Sequence, residues 1–437
     1  MKDDNVVTEV PQNERQSWIA VMFVWIGSMI CLSSLLTGAT IISGTNFIIA
    51  IIAACLGYGI ILIITILQGI ESTDLGKPTV VVSEMTYGKR GSRYIFSLII
   101  GIALIGWFRI QTEIAGDTLN ILLNDLFNIN ANVQICSLIV GLLMLLTAIY
   151  GFKIMEYLNY VSVPLMIIVL CIAFFNAIMQ NDISLLFSYE PEQHMSILQG
   201  LGIVVGSFIV GAVIAGDYTR FNKSRKDTMK SAFLGIVPAG ILLIIMGAVL
   251  TIFSGEDDLT LVLVKYVNSS LLVYIMLLLA TWTTNVTNAY SAGLAIINGL
   301  QIKDKYRPHA TSISGIIGTL LAIFGILDNL EIFLTILTAL VTPIAGIMIA
   351  DYWIKYKGNT QKFINKKLQA KVAISSWIIG CLPALVIMPP FNLILPKIIV
   401  NNETINGLSS FIGIFIAMII YLSFVKKEEV KKEIIWI

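Results

Sequence analysis

The sequence predicts an all-α, polytopic membrane protein of about twelve transmembrane helices, arranged as two inverted five-helix repeats followed by two further helices. Three observations predict it. Of 437 residues, 57% are hydrophobic and 13% charged, and the mean hydropathy is +0.87; a soluble domain carries about twice that charge. Apolar stretches of roughly 20 residues, the length that crosses a bilayer, recur along the whole chain. Two of them, 21–38 (VMFVWIGSMICLSSLLTG) and 201–221 (LGIVVGSFIVGAVIAGDYTRF), carry a Gly-Ser pair in mid-span, Gly27-Ser28 and Gly206-Ser207.

Taken in order, the apolar cores lie at 18–42, 47–70, 95–124, 133–151, 157–178, 198–217, 231–253, 269–299, 311–327, 332–353, 372–389 and 406–425. Several exceed a bilayer's thickness, which predicts tilt or interfacial turns. Residues 1–16 are polar and carry both signs of charge, unlike a signal peptide, so the first span is expected to stay in the membrane. One alternating set of loops is basic, with Lys77, Lys89, Arg90 and Arg93, then Lys153, then Arg220 to Lys230. It continues through Lys303, Lys305 and Arg307, the stretch 355–371 and the tail at 426–437. The other set is poor in base. The positive-inside rule then places both termini in the cytoplasm of a plasma (inner) membrane protein, which requires an even number of spans.

If the two Gly-Ser spans are equivalent, the period is five spans. Five is odd, so the second repeat is inverted relative to the first. This divides the chain into 17–178, 198–353 and a terminal pair at 372–425. Paired glycine-interrupted spans point to a transporter's binding site. Close packing between helices is the other reading of the same glycines.

Composition narrows the function. A net charge of +1 offers nothing to nucleic acid. The five cysteines sit in apolar stretches without metal-ligand spacing, and the two histidines, His194 and His309, fall in loops. The chain lacks a His-Glu-x-x-His motif and an acid-rich magnesium motif, which counts against a membrane-embedded enzyme. A channel is the second rival, since broken helices also line pores.

Five groups of residues carry chemistry. Trp107 and Gln111 are one turn apart and share a helix face, which suits a flat ligand that stacks and hydrogen-bonds; ordinary interhelical packing is the alternative. Arg109, Glu113 and Asp117 lie nearly opposite, as a structural ion pair or as a proton relay. Thr283 and Thr284 offer two hydroxyl oxygens to a small cation, completed by carbonyls of a broken helix, although membrane threonines also bond back to their own helix. Asn285 and Asn288, three apart, can face one cavity. Asp217 and Asp351 each end a span before tyrosine, as a cytoplasmic gate or as solvated acids beside basic loops.

Five strings give the chain a resemblance to the nucleobase–cation symporter family, most closely its cytosine permease branch. They are GWF at 106–108, VVGSF at 204–208, GDYTRF at 216–221, WTTN at 282–285 and IADY at 349–352. The resemblance implies the leucine-transporter fold and uptake of a nucleobase-like heterocycle coupled to sodium. Trp107 matches the family's stacking tryptophan and Gln111 a base-binding glutamine. Ser207 and Phe208 match the sixth-span pair that touches and stacks on the base, and Asn285 falls in the eighth-span asparagine region beside Asn288. Thr283 and Thr284 match the two sodium hydroxyls, and the carbonyls of Gly27, Ile30 and Ala280 the remaining ligands. Leu104 and Val210 depart from the pattern, standing where close cytosine permeases carry glutamine and serine. The expected protein is therefore a monomeric secondary transporter in the lipid bilayer, taking cytosine or a related pyrimidine or purine with sodium. A proton-coupled symporter of hydroxymethylpyrimidine or another ring amide is the alternative.

Overall fold

The computed structural model describes residues 8–425, apart from 31, 151, 193, 257–258, 325–329 and 388–402. The expected C-terminal tail at 426–437 lies outside the described residues, as do the far ends of the spans expected at 311–327 and 372–389.

The first span is two helices, α1 (Trp18–Met29) and α2 (Leu32–Ile42), bent by 53° where they meet. Ser17 starts α1 by accepting the Ala20 N–H on its hydroxyl, which satisfies one of the amides that helix starts leave unpaired. The helix ends at Ile30, whose ψ of 87° leaves helical space. The α3 helix (Phe47–Leu75) is capped by Asn46 and closed by Gly76 at φ 63°, a left-handed position that glycine takes without a Cβ penalty. Then α4 (Thr79–Gly91) runs through a π turn at Ser92–Ser97 into α5 (Leu98–Phe127). The helices α6 (Val133–Ile149) and α7 (Phe152–Gln180) complete the first half.

The second half opens on α8 (Ile197–Val213), started by a reciprocal capping box between Ser196 and Gln199. The chain breaks at Ile214 and Ala215 before a short turn, α9 (Gly216–Thr219). There follow α10 (Arg225–Ser254), α11 (Ser270–Leu300), α12 (Arg307–Ala322), α13 (Leu330–Ile349), α14 (Ala370–Ile387) and α15 (Glu403–Phe424). Each of the twelve expected spans falls on one of these helices or helix pairs. Among the described residues, eight helices are long and apolar enough to cross a membrane alone, or nine with the bent first pair. Several run past their apolar cores: α3 reaches Leu75 rather than 70, and α10 starts at Arg225 rather than 231. Helical hydrogen bonds are internal to the chain, so nothing obliges a helix to stop at the hydrocarbon edge. Ile63, Leu146 and Phe175 stand exposed on the outside, an apolar belt that calls for lipid rather than water.

The Gly-Ser pairs are contact points, and the breaks fall beyond them. The α8 helix continues through Gly206-Ser207 and breaks seven residues later. A Cβ at Gly206 would come within 2.6 Å of the Leu334 carbonyl on α13. In α1 the break follows three residues after Gly27, where a Cβ would collide with Asn159 on α7.

The helices pack in two groups. One joins α1, α2, α3, α8 and α10; the other joins α5, α6, α11 and α12. The α13 and α15 helices lie against α8, and α14 packs on α13 and α15. The N-terminal segment straps one end of the first group. Gln16 N–H donates to the Phe221 carbonyl at 2.6 Å and Val10 N–H to Gly76 at 2.8 Å. Arg15 reaches the Thr73 carbonyl at 2.8 Å.

Candidate functional site

Between the two groups lies a cavity of about 580 Å³, a figure that includes space open to solvent. Its walls come from both broken spans and from α5 and α11. Trp107 and Gln111 line it from α5, and Ser207 and Phe208 from α8. Asn288 and Thr284 line it from α11. The same cavity takes in Leu104 and Val210, the two apolar departures.

Gln111 is fully buried, and its amide donates to the Ser33 hydroxyl at 2.8 Å. Its carbonyl oxygen has no hydrogen-bond partner among the described residues. A buried unpaired acceptor is costly, and here it sits at a cavity wall where a ligand N–H would satisfy it. Ser207 donates back to the Val204 carbonyl at 2.7 Å, which leaves its oxygen able to accept.

Asn285 does not line the cavity. Its amide donates to the Phe108 carbonyl at 3.0 Å and to the Thr112 hydroxyl at 2.9 Å, both on α5. Three residues turn a helix by 300°, so Asn285 and Asn288 diverge by about 60°, and this seats Asn285 in the α5–α11 seam. Its oxygen accepts the Asn288 amide at 3.4 Å, which positions Asn288 from behind.

Trp25, Ser33, Ser34 and Tyr218 also line the cavity. The Trp25 ring meets Phe208 at 6.0 Å and 70°, and Tyr218 at 5.1 Å and 78°. Its indole N–H is buried without a hydrogen-bond partner among the described residues. These residues flank the two breaks, so WIGS and GDYTRF were the signals that could have named them. Tyr218 donates to the Thr287 carbonyl at 3.3 Å and bonds Ser291 at 3.0 Å, closing the cavity toward the strapped end.

Beside the cavity, α1 and α11 bring oxygens together. The Thr283 hydroxyl lies 2.8 Å from the Gly27 carbonyl and 3.0 Å from that of Ala280. The Thr284 hydroxyl lies 3.0 Å from the Ala280 carbonyl and 3.5 Å from that of Ser28. Four of the five expected cation ligands are thus clustered, with Ser28 added. Ile30 stands at the break itself, and no described bond draws its carbonyl into the cluster. All of these donors are neutral, hard oxygens, a set that fits an alkali cation. Arg109 is buried on α5 and engaged electrostatically by Glu113, outside the cavity lining.

The two aspartates at the strapped end are not solvated. Asp217 is 1% exposed and accepts the Thr79 N–H at 3.0 Å, capping α4. Asp351 is fully buried and accepts from Thr86 at 2.9 Å and from the Lys366 ammonium. Burial lowers the Lys366 pKa to about 8 against the opposing pull of Asp351. Arg225 and Asp74 form a second ion pair at 2.7 Å.

A family model described as a permease for cytosine/purines, uracil, thiamine and allantoin matches residues 9–413. The cytosine permease of Escherichia coli (strain K12) is 28% identical over 359 residues, 80% of this chain and 82% of that one. A nucleobase-cation-symport-1 family transporter, solved in a closed conformation with bromovinylhydantoin bound, matches with a TM-score of 0.76 at 19% identity over 98% of both chains. A Na+-coupled sialic acid symporter in a substrate-bound outward-open state matches with a TM-score of 0.68 at 12% identity, over 98% of this chain and 93% of that one. These likenesses give the chain the leucine-transporter fold, two inverted five-helix repeats with two helices added. With two broken spans around one central cavity, and a family match running through nearly every helix that builds it, the chain belongs to the family of permeases for cytosine/purines, uracil, thiamine and allantoin.

Proposed function

We propose that this permease imports a nucleobase-like planar heterocycle together with sodium, by alternating access. The observation that carries this is the adjacency of two sites on the same helices. The cavity offers aromatic rings from Trp107 and Phe208, and edge partners from Gln111, Ser207 and Asn288. One wall away, Gly27, Ala280, Thr283 and Thr284 supply neutral oxygens from α1 and α11. A cation held there would bridge the two helix groups and bias them toward the arrangement the substrate prefers. The Na+-coupled relative of the same fold supports sodium as the driving ion.

In this reading Ile30 completes the cation ligands in the loaded state and Asn285 supports Asn288. The strapped end faces the cytoplasm, following its basic loops, and the protein works as a monomer. Leu104 and Val210 in the cavity wall offer no polar partner, which favours a heterocycle that turns a C–H edge or an apolar substituent toward them over cytosine. Binding of cytosine, uracil, a purine, allantoin and a hydantoin to purified protein, with and without sodium, tests the proposal. Binding of at least one, strengthened by sodium, is expected; a panel with no binder would overturn it.

A further inference from the structure

We infer that Asn159, on α7, is an additional ligand of the cation held between α1 and α11, contributing its side-chain carbonyl oxygen. This rests on the sodium reading above. Asn159 is 1% exposed, and its Oδ1 has no hydrogen-bond partner among the described residues. That oxygen lies against Gly27 in the space a side chain there would fill. Gly27 is the residue whose carbonyl faces Thr283, and α7 packs against both α1 and α11.

An amide oxygen buried without a donor is unfavourable in any membrane helix bundle. The neighbouring α1–α11 cluster is rich in acceptors, with the carbonyls of Gly27, Ser28 and Ala280 gathered around the Thr283 and Thr284 hydroxyls. A bound alkali cation resolves both facts, since it turns an excess of acceptors into a coordination shell. It also gives Gly27 a reason: any larger residue would displace the Asn159 oxygen. One turn along α7, the Ser162 hydroxyl is likewise buried without a hydrogen-bond partner among the described residues, and it serves as a neighbouring control.

The test is sodium-dependent thermal stabilisation of the full-length protein, with potassium as the balancing ion and lithium as a comparator. Wild type, Asn159→Leu, Asn159→Asp, Ser162→Ala and the pair Thr283→Ala with Thr284→Ala are compared. Sodium should raise the melting temperature of wild type and Ser162→Ala alike. Asn159→Leu should keep its melting temperature in potassium but need about tenfold more sodium or beyond, with an altered sodium-to-lithium preference. Asn159→Asp should be weakened in potassium, where its charge is buried alone, and should show a larger sodium shift than wild type. A structural asparagine would give no such gain. Should Asn159→Leu fail to fold, Asn159→Ala is read in the same way. An unchanged sodium requirement and ion preference in Asn159→Leu, with the shift lost in the threonine pair, overturns Asn159 alone. Absence of any sodium shift in wild type overturns the cation reading as well.

Discussion

At the scale of single residues, the cavity is built from flat faces and a few unpaired polar atoms. Trp107 is held by edge contact with Phe333, ring centres 5.5 Å apart at 74°, which leaves an indole face for a ligand. By analogy with bases on aromatic side chains, one stacked ring contributes roughly 1–3 kcal/mol. Trp107→Ala should therefore weaken heterocycle binding about ten- to a hundredfold, and unchanged affinity in the folded variant would remove Trp107 from the site. Leu104 and Val210 leave any facing ligand donor or acceptor unpaired, at about 1–3 kcal/mol each. Leu104→Gln with Val210→Ser should thus gain cytosine affinity; tight wild-type binding that the pair does not improve would refute this. Trp107 and Gln111 were legible as cavity residues because helical spacing sets the face a side chain takes, whereas Ser207 and Phe208 came only from the family resemblance. Asn285 was misplaced because spacing does not say which neighbour that face meets, and 60° decides between cavity and seam. Trp25, Ser33 and Tyr218 went unseen because their position depends on where two helices break.

At the scale of elements, the breaks and the strapped end do the positioning. Glycine in the sequence marked both broken spans, but the breaks themselves follow tertiary contacts, with Gly27 and Gly206 spent on close approach to α7 and α13. The acids at the strapped end could be read as a cytoplasmic gate or as solvated charges because they adjoin basic loops; burial against Thr79, Thr86 and Lys366, which sets the solvated reading aside, appears only in three dimensions. The Lys366 ammonium, lowered to about 8 mainly by burial, makes this end sensitive to alkaline pH. Asp351 and Glu71 oppose that lowering and Lys355 adds to it. The sign follows from linkage. Between pH 8 and the ordinary lysine range, near 10.4, an exposed Lys366 binds more protons than the buried one. Raising pH through that window should therefore favour the closed, buried arrangement over one that exposes Lys366. Its measure is the labelling rate of a cysteine placed at Lys367, which should fall from pH 8 to pH 10 relative to an exposed reference cysteine. Lys366→Met should flatten the dependence, and a slope that survives this change would assign it elsewhere.

At the scale of the whole molecule, the proposed coupled transport would require that two ligands bias one equilibrium between helix groups. The group of α1, α2, α3, α8 and α10 contributes Gly27 and Ser28, and the group of α5, α6, α11 and α12 contributes Ala280, Thr283 and Thr284. The cavity draws on the same two groups through Phe208 on one side and Trp107 and Asn288 on the other. A cation and a heterocycle bound together would each resist separation of the groups. Each must then raise the other's affinity by the same factor, typically about 5- to 150-fold. Substrate affinity should rise with sodium at fixed pH, and sodium affinity should rise equally with saturating substrate. Thr283→Ala with Thr284→Ala should abolish both effects, and Thr283→Ala alone should weaken them while leaving sodium-free substrate binding near its wild-type level, because Thr283 is absent from the cavity wall. The proton alternative predicts the reverse pattern: uptake without sodium that follows a pH gradient and survives the threonine changes. That outcome would move the driving site to Glu113, the one acid engaged with buried Arg109 on the α5 helix.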